Sequence, residues 1–296
     1  PARTYERGTC PATVATDEKI ECGWLSVPEN RSVVKSRLIK LPVMIFHSRA
    51  ANPAADPIIF LNGGPGGSNL SNKKSGKNNP FLDARDYILM EPRGGKLSQP
   101  ALECPKISAI KGIISAGHLR GPTADAALSA AAADCRDALT AAGVDLNGYT
   151  SREAAQDIDD LRVALDIKSW NLFGHSYGTR LALTVLRDHP EGVRSVILDS
   201  VLPPEANFDE SASANLWRAL HVVFDNCATN ATCHAAYPNL ASDFNGLILQ
   251  ADETPLDFMP PLMGADNLPV AVGGAEVVDA IYSALHSPTD IPQIPK

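Results

Sequence analysis

Gly174-His175-Ser176-Tyr177-Gly178 sets a serine between two glycines, after the apolar run Trp170 to Phe173 and before a stretch of helical spacing, Tyr177 to about Asp188, that stops ahead of Pro190. In that context the G-x-S-x-G spacing predicts a sharp strand-to-helix turn that strains the serine backbone and exposes its hydroxyl. A side chain at Gly174 or Gly178 would collide inside the bend. The chemistry this suits is nucleophilic attack, with Ser176 as the candidate nucleophile. The helix start would aim its free N–H groups, Tyr177 first, at an oxygen that gains charge during acyl transfer. His175 is assigned to packing. Glycine and serine also make ordinary turns, and the flanking strand and helix separate the two readings.

A second glycine-rich segment, Asn62-Gly63-Gly64-Pro65-Gly66-Gly67-Ser68, follows the apolar run Ile58 to Leu61. A phosphate loop would continue with Lys-Ser or Lys-Thr, whereas Ser68, Asn69 and Leu70 stand here, so nucleotide binding is poorly supported. Bare backbone can instead approach a substrate closely and supply a second oxyanion donor. Gly64 is the candidate, with Gly63 next, and an ordinary flexible loop is the alternative. A serine hydroxyl also needs a histidine to take its proton and a carboxylate to orient that histidine. His189, His221, His234 and His286 follow Ser176, but at a helix end, in an apolar helical run, beside a cysteine and at a helix terminus. An internal pair of Asp199 with His286 is one arrangement that would supply both.

Positioning these loops requires a sheet. Glu21 to Val27 and Leu38 to Phe46 flank the turn-forming stretch Pro28 to Ser32 as an antiparallel hairpin would. Ile58 to Leu61, Tyr87 to Met90, Trp170 to Phe173 and Val193 to Leu198 are continuous apolar runs, the signature of strands covered on both faces. Thr150 with Glu153 forms a capping box before Ala154, Ile158, Leu161 and Leu165, and the alanine-rich stretch Ala124 to Ala142 is a good helix former. Alternating strands and helices indicate an α/β domain with a mostly parallel sheet. Past Val201, Leu202-Pro203-Pro204 breaks the pattern, and Leu216 to Phe224, Leu240 to Leu249 and Ala275 to Leu285 are helix candidates without a convincing buried strand.

The 296 residues are 44% apolar and 20% charged, enough for a sizeable core and incompatible with disorder or a fibre. A net charge of -8 without a basic stripe disfavours nucleic acid and anionic membranes as partners. No window nears the roughly 18 apolar residues of a membrane span, and Pro1 to Glu6 lacks a signal peptide's apolar centre, which reads as an already processed chain. Cys10, Cys22, Cys104, Cys135, Cys227 and Cys233 fall as a close, a middling and a close pair, which suggests three local disulfides. Zinc is the rival, but no two cysteines have zinc-knuckle spacing and only His234 adjoins one; neither metal nor cofactor is expected. Oxidised cysteines imply export to the periplasm, cell envelope or medium.

With Glu91-Pro92-Arg93-Gly94-Gly95 and Ile197-Leu198-Asp199-Ser200-Val201-Leu202-Pro203-Pro204, these motifs resemble the α/β-hydrolase family of proline iminopeptidases and secreted tripeptidyl aminopeptidases over most of the chain. That family usually shows His-Gly-Gly-Pro-Gly where Asn62 opens the loop here, and Asp-Gln-Arg-Gly-Thr-Gly where Glu91, Pro92 and Gly95 depart. The cysteine pattern looks like that of the exported tripeptidyl branch. The resemblance implies an α/β-hydrolase fold with residues 1–202 as core and 203–296 as helical cap, the last strands absent from this chain and the acid and histidine on the carboxyl-terminal remainder of the same enzyme. It implies a secreted serine hydrolase, acylated on Ser176, that removes short peptides or residues from amino termini. A carboxylesterase on small esters, or a binding protein without a complete triad, are the alternatives. Recognition of a free ammonium group calls for carboxylates, for which Glu205, Asp209 and Glu210 are candidates and solvated surface acids the bland reading.

Overall fold

The computed structural model describes residues 3–11, 17–70, 79–115, 119–258 and 270–296. In chain order the strands are β1 (Thr4–Arg7), β2 (Ile20–Pro28), β3 (Leu38–Phe46), β4 (Ile58–Leu61) and β5 (Tyr87–Met90). There follow α1 (Pro105–Ser115), α2 (Gly121–Ala141), α3 (Ser151–Ala164), β6 (Trp170–His175), α4 (Tyr177–Asp188) and β7 (Val193–Asp199). The remainder is α5 (Phe208–Thr229), α6 (Ala231–Ala236), α7 (Leu240–Glu253), β8 (Leu256–Phe258), β9 (Val270–Val272) and α8 (Gly274–Ala284). These elements form two compact units, Pro1–Cys104 with Asp134–Ala206 and Pro105–Ala133 with Asn207–Lys296.

The first unit is built on a seven-stranded sheet in the order β1-β2-β3-β5-β4-β6-β7. The first three strands pair antiparallel with each other and β3 antiparallel with β5, whereas β5, β4, β6 and β7 run parallel. Helices α3 and α4 pack Ala155, Ile158, Leu161, Leu181, Ala182 and Val185 into one buried cluster with Ile59, Trp170 and Leu172 of the sheet. Apolar residues at helical spacing meeting strands apolar on both faces is the arrangement their sequences dictate.

Three elements differ from what their sequences predict. β1 precedes the anticipated first hairpin; Thr-Tyr-Glu-Arg has one apolar side chain and lies largely exposed beside β2, so no alternation marked it. β7 is not covered on both faces: Arg194, Ser195, Ile197 and Asp199 are exposed, as befits the outer strand of this described sheet. At α3 only half of the capping box forms. Thr150 Oγ1 accepts the Glu153 N–H at 3.2 Å, but the Glu153 carboxylate turns to the Arg31 N–H and guanidinium.

Polar ties fix the strand starts. Asp56 accepts from Asn171 of β6 at 2.8 Å and from Arg85 at 3.0 Å, and pairs with Arg194 of β7 at 3.1 Å. Burial works to raise its carboxyl, but Asn171, Arg85 and Arg194 outweigh it and hold the group below the ordinary carboxylate value. A depressed folded value means stability present above the unfolded carboxylate range and lost as pH falls through the folded one. Asp56→Asn is therefore expected to be less stable than the parent at neutral pH, with the gap closing progressively below about pH 4. Urea midpoints across pH 2.5–7, on the order of six points, check this; a gap that stays constant would show the ties to be charge-independent.

Disulfides pair the cysteines in chain order. Cys10–Cys22 fastens the lead-in to β2, Cys104–Cys135 joins the segment after β5 to α2, and Cys227–Cys233 joins α5 to α6. The second unit is mainly helical, with Leu220, Phe224 and Phe244 buried among Leu216, Leu240, Ile248, Val277, Ile281 and Leu285. The helix expected at Leu216 to Phe224 is the middle of the longer α5, which Asn207 starts by accepting the Glu210 N–H. β8 and β9 form a short antiparallel pair of three residues each, too brief to mark a sequence as strand. Among the described residues no helix is long and apolar enough to cross a membrane.

Candidate active site

Ser176 sits at the junction of β6 and α4 with φ 53° and ψ -123°, a conformation that L residues rarely adopt. Tight packing of α4 against the sheet requires it. A Cβ on Gly178 would overlap the Leu61 carbonyl at the end of β4, and one on Gly174 would overlap the Gly178 carbonyl. The bend is pinned by its own backbone: Ser176 N–H donates to the Asp199 carbonyl at 2.9 Å, and its carbonyl accepts from Thr179 N–H at 2.9 Å and Thr179 Oγ1 at 2.7 Å. Thr179 Oγ1 in turn accepts the Leu202 N–H at 2.8 Å, and Arg180 donates to the carbonyls of Pro203 and Ala206. The first turn of α4 thus holds both the serine and the connector that leaves β7. Thr179 is fully buried, and nothing but its place in an apolar helix face marked it in the sequence.

The glycine-rich loop reaches this bend. A Cβ on Gly63 would lie 2.9 Å from Ser176 Cβ and 3.3 Å from its Oγ, so only a glycine lets the loop come this close. Gly63 N–H is spent on Asn62 Oδ1 at 2.8 Å, which leaves the next amide, Gly64, as the better candidate donor of the two. Gly64 itself has φ 122°, open to glycine alone. Asn62, which stands where the resembled family has histidine, organises the loop: its Nδ2 donates to the Ser68 carbonyl, and its N–H to Asn69 Oδ1. Asn69 Nδ2 donates to the Met90 carbonyl of β5.

Tyr177 begins α4, and its phenol hydrogen-bonds Ser151 Oγ at 2.7 Å, coupling the starts of α3 and α4. His175 is exposed at the end of β6, so the packing role assigned to it does not hold; strand alternation places it outside the core. His189 lies 3.8 Å from Asp159, His221 sits edge-on to Trp217 and Phe224, His286 Nδ1 meets the Tyr282 carbonyl, and His234 is exposed on α6 beside the disulfide. Asp199 Oδ1 accepts from Ser200 Oγ. Glu205 is exposed after β7, and Asp209 and Glu210 are exposed in the first turn of α5, where acids also suit the helix dipole. Among the described residues no group of three or more His, Cys, Asp or Glu could hold a metal ion.

Two charged residues after β5 shape this region. Arg93 is buried and braces the turn against α3, while Glu91, also buried, accepts from Ser68 Oγ, Leu70 N–H and Leu97 N–H. The departures at Glu91 and Gly95 fit each other, because a Cβ on Gly95 would lie 2.9 Å from Glu91 Oε1. A lone carboxylate directly after the apolar Tyr87–Met90 strand was the available signal for such a role.

The profile of the alpha/beta hydrolase fold matches residues 56–222, a span containing both the glycine-rich loop and the serine bend. A tripeptidyl aminopeptidase from Streptomyces lividans is 29% identical over 220 residues, 69% of this chain and 41% of that protein. A proline iminopeptidase from Xylella fastidiosa is 26% identical over 159 residues, 53% of this chain and 36% of that one. Among solved structures, a proline iminopeptidase-related protein from Thermus thermophilus is 20% identical with a TM-score of 0.34, covering 62% of this chain and 44% of that one. The chain spans half or less of the length of these relatives. A profile matched over more than half of the chain, across the loop and bend just described, means that the chain belongs to the alpha/beta hydrolase fold family.

Proposed function

We propose that this chain carries the nucleophile of an exported serine hydrolase that cleaves short peptides or single residues from the amino termini of its substrates. The observation that carries the reading is the strained Ser176 backbone with Gly63 packed against its side chain. Ser176 Oγ attacks the scissile carbonyl, and the developing oxyanion takes the N–H groups of Tyr177 and Gly64. Expulsion of the amine leaves an acyl-enzyme that water hydrolyses. A histidine serves as proton acceptor and a carboxylate orients it, both contributed by polypeptide outside these 296 residues. Residues 203–296 act as a helical cap, and Glu205, Asp209 and Glu210 are the acids assigned to the substrate ammonium. The relatives named as aminopeptidases support a peptidase over an esterase, and the three disulfides support export.

The test uses the full-length protein. A fluorophosphonate probe is expected to label Ser176, with loss of fluoride, and the Ser176→Ala variant is expected to remain unlabelled. Aminoacyl-arylamides should be turned over in preference to short-chain nitrophenyl esters. Ester hydrolysis without arylamidase activity would replace the peptidase by a carboxylesterase, and an unlabelled wild type would leave a binding protein.

A further inference from the structure

We propose that Glu91 is a positioning residue for the oxyanion loop, a role that rests on the serine-hydrolase reading above. Its side chain is completely buried, and its carboxylate accepts from donors on both neighbouring loops. Oε2 accepts from Ser68 Oγ at 2.7 Å and Leu70 N–H at 3.3 Å, which fixes the returning limb of the glycine-rich loop. Oε1 accepts from Leu97 N–H at 3.3 Å, which anchors the carboxylate in the turn after β5. A buried carboxylate is costly unless such donors surround it, so the geometry that satisfies Glu91 is also the geometry that holds the loop.

The loop's other limb is tied to the same residues. Asn62 Nδ2 donates to the Ser68 carbonyl while its Oδ1 takes the Gly63 N–H, so Ser68 links Glu91 on one side to the peptide beside Gly64 on the other. Gly63 meanwhile touches Ser176. A displacement of Ser68 therefore passes through two hydrogen bonds to Gly63, whose peptide bond carries the Gly64 amide. An oxyanion donor works only when aimed beforehand at the place where charge develops, and a misplacement of about 1 Å can cost on the order of 100-fold in rate. Gly95 keeps the site of the carboxylate open, since any Cβ there would crowd both Oε1 and Cγ.

Glutamine is the discriminating substitution, because an amide has one acceptor oxygen and cannot serve donors on both sides. In the full-length protein, Glu91→Gln is expected to lower kcat by about 10- to 100-fold with KM within about twofold, and to weaken a peptide aldehyde, whose Ser176 adduct carries the oxyanion, by the same factor. Glu91→Asp, which keeps both acceptors on a shorter stem, should fall between the two. If the glutamine variant fails to fold, Ser68→Ala removes a loop donor without touching the carboxylate and should show the same kcat-only pattern. A folded variant with parental kcat and aldehyde affinity would overturn the proposal while leaving Ser176 labelling intact. Loss confined to thermal stability or to KM would do the same. A wild type unlabelled by fluorophosphonate would overturn the serine-hydrolase reading and this role with it.

Discussion

Replacing Ser176 with glycine is expected to remove turnover in the full-length protein while making the folded chain more stable by about 1 kcal/mol. Loss of the nucleophile of a hydrolytic triad lowers kcat by roughly 10⁶-fold, the residue of catalysis coming from binding and oxyanion donors. The stability gain has a separate origin. At φ 53° and ψ -123° a residue with a Cβ carries strain of order 1–3 kcal/mol, and glycine escapes it at the cost of roughly 0.5–1 kcal/mol of extra unfolded-state entropy. Ser176→Ala keeps the Cβ and the strain, so it should lose turnover equally without the gain. Initial rates and urea unfolding of both variants separate the two effects. A glycine variant that unfolds at lower urea than the alanine variant by about 0.5–1 kcal/mol would mean that the bend is unstrained, and surviving turnover in the alanine variant would move the nucleophile elsewhere.

The parts of this site that were legible before the structure are those written in local sequence. Tyr87–Met90 and Ile58–Leu61 end where their apolar runs end, and α4 spans Tyr177–Asp188 because the serine bend starts it and Pro190 forbids its continuation. The cysteines pair with their nearest neighbours in the chain. What escaped is what depends on partners far away. Arg31 meets Asp157 at a separation of 126 residues, and Glu91 meets Ser68 across 23, and neither separation leaves a periodicity to read. Asn62 reads as a missing histidine because a motif records residue type and not the hydrogen bonds that the side chain makes. The exposure of β7 depends on which strands flank it, a property of the sheet and not of Val193–Asp199.

An ionic bracket joins the turn after β5 to α3. Arg93 directs all five guanidinium protons to acceptors: Nε and Nη2 to the Asp157 carboxylate at 2.7 and 2.6 Å, Nη1 to the carbonyls of Glu29 and Gly148, and Nη2 also to that of Pro28. Asp157 accepts in addition from Arg31, which reaches Glu153 and Asp160 as well. Arg93 and Asp157 are only 3% and 2% exposed, so water cannot replace a lost partner. Removing one side of such a pair is expected to cost about 3–5 kcal/mol, and both Asp157→Leu and Arg93→Met should show losses of this size in urea unfolding. Lysine at 93 should rescue little, because three donors on a point charge cannot span a carboxylate and three carbonyls. The double variant is the sharper measurement. An apolar pair of similar volume leaves no buried charge unpaired, so its loss should fall short of the sum of the single losses by at least about 2 kcal/mol. Additivity within about 0.5 kcal/mol would mean that the two residues act independently, and that the carbonyls of Pro28, Glu29 and Gly148, not the carboxylate, are what Arg93 is there to hold.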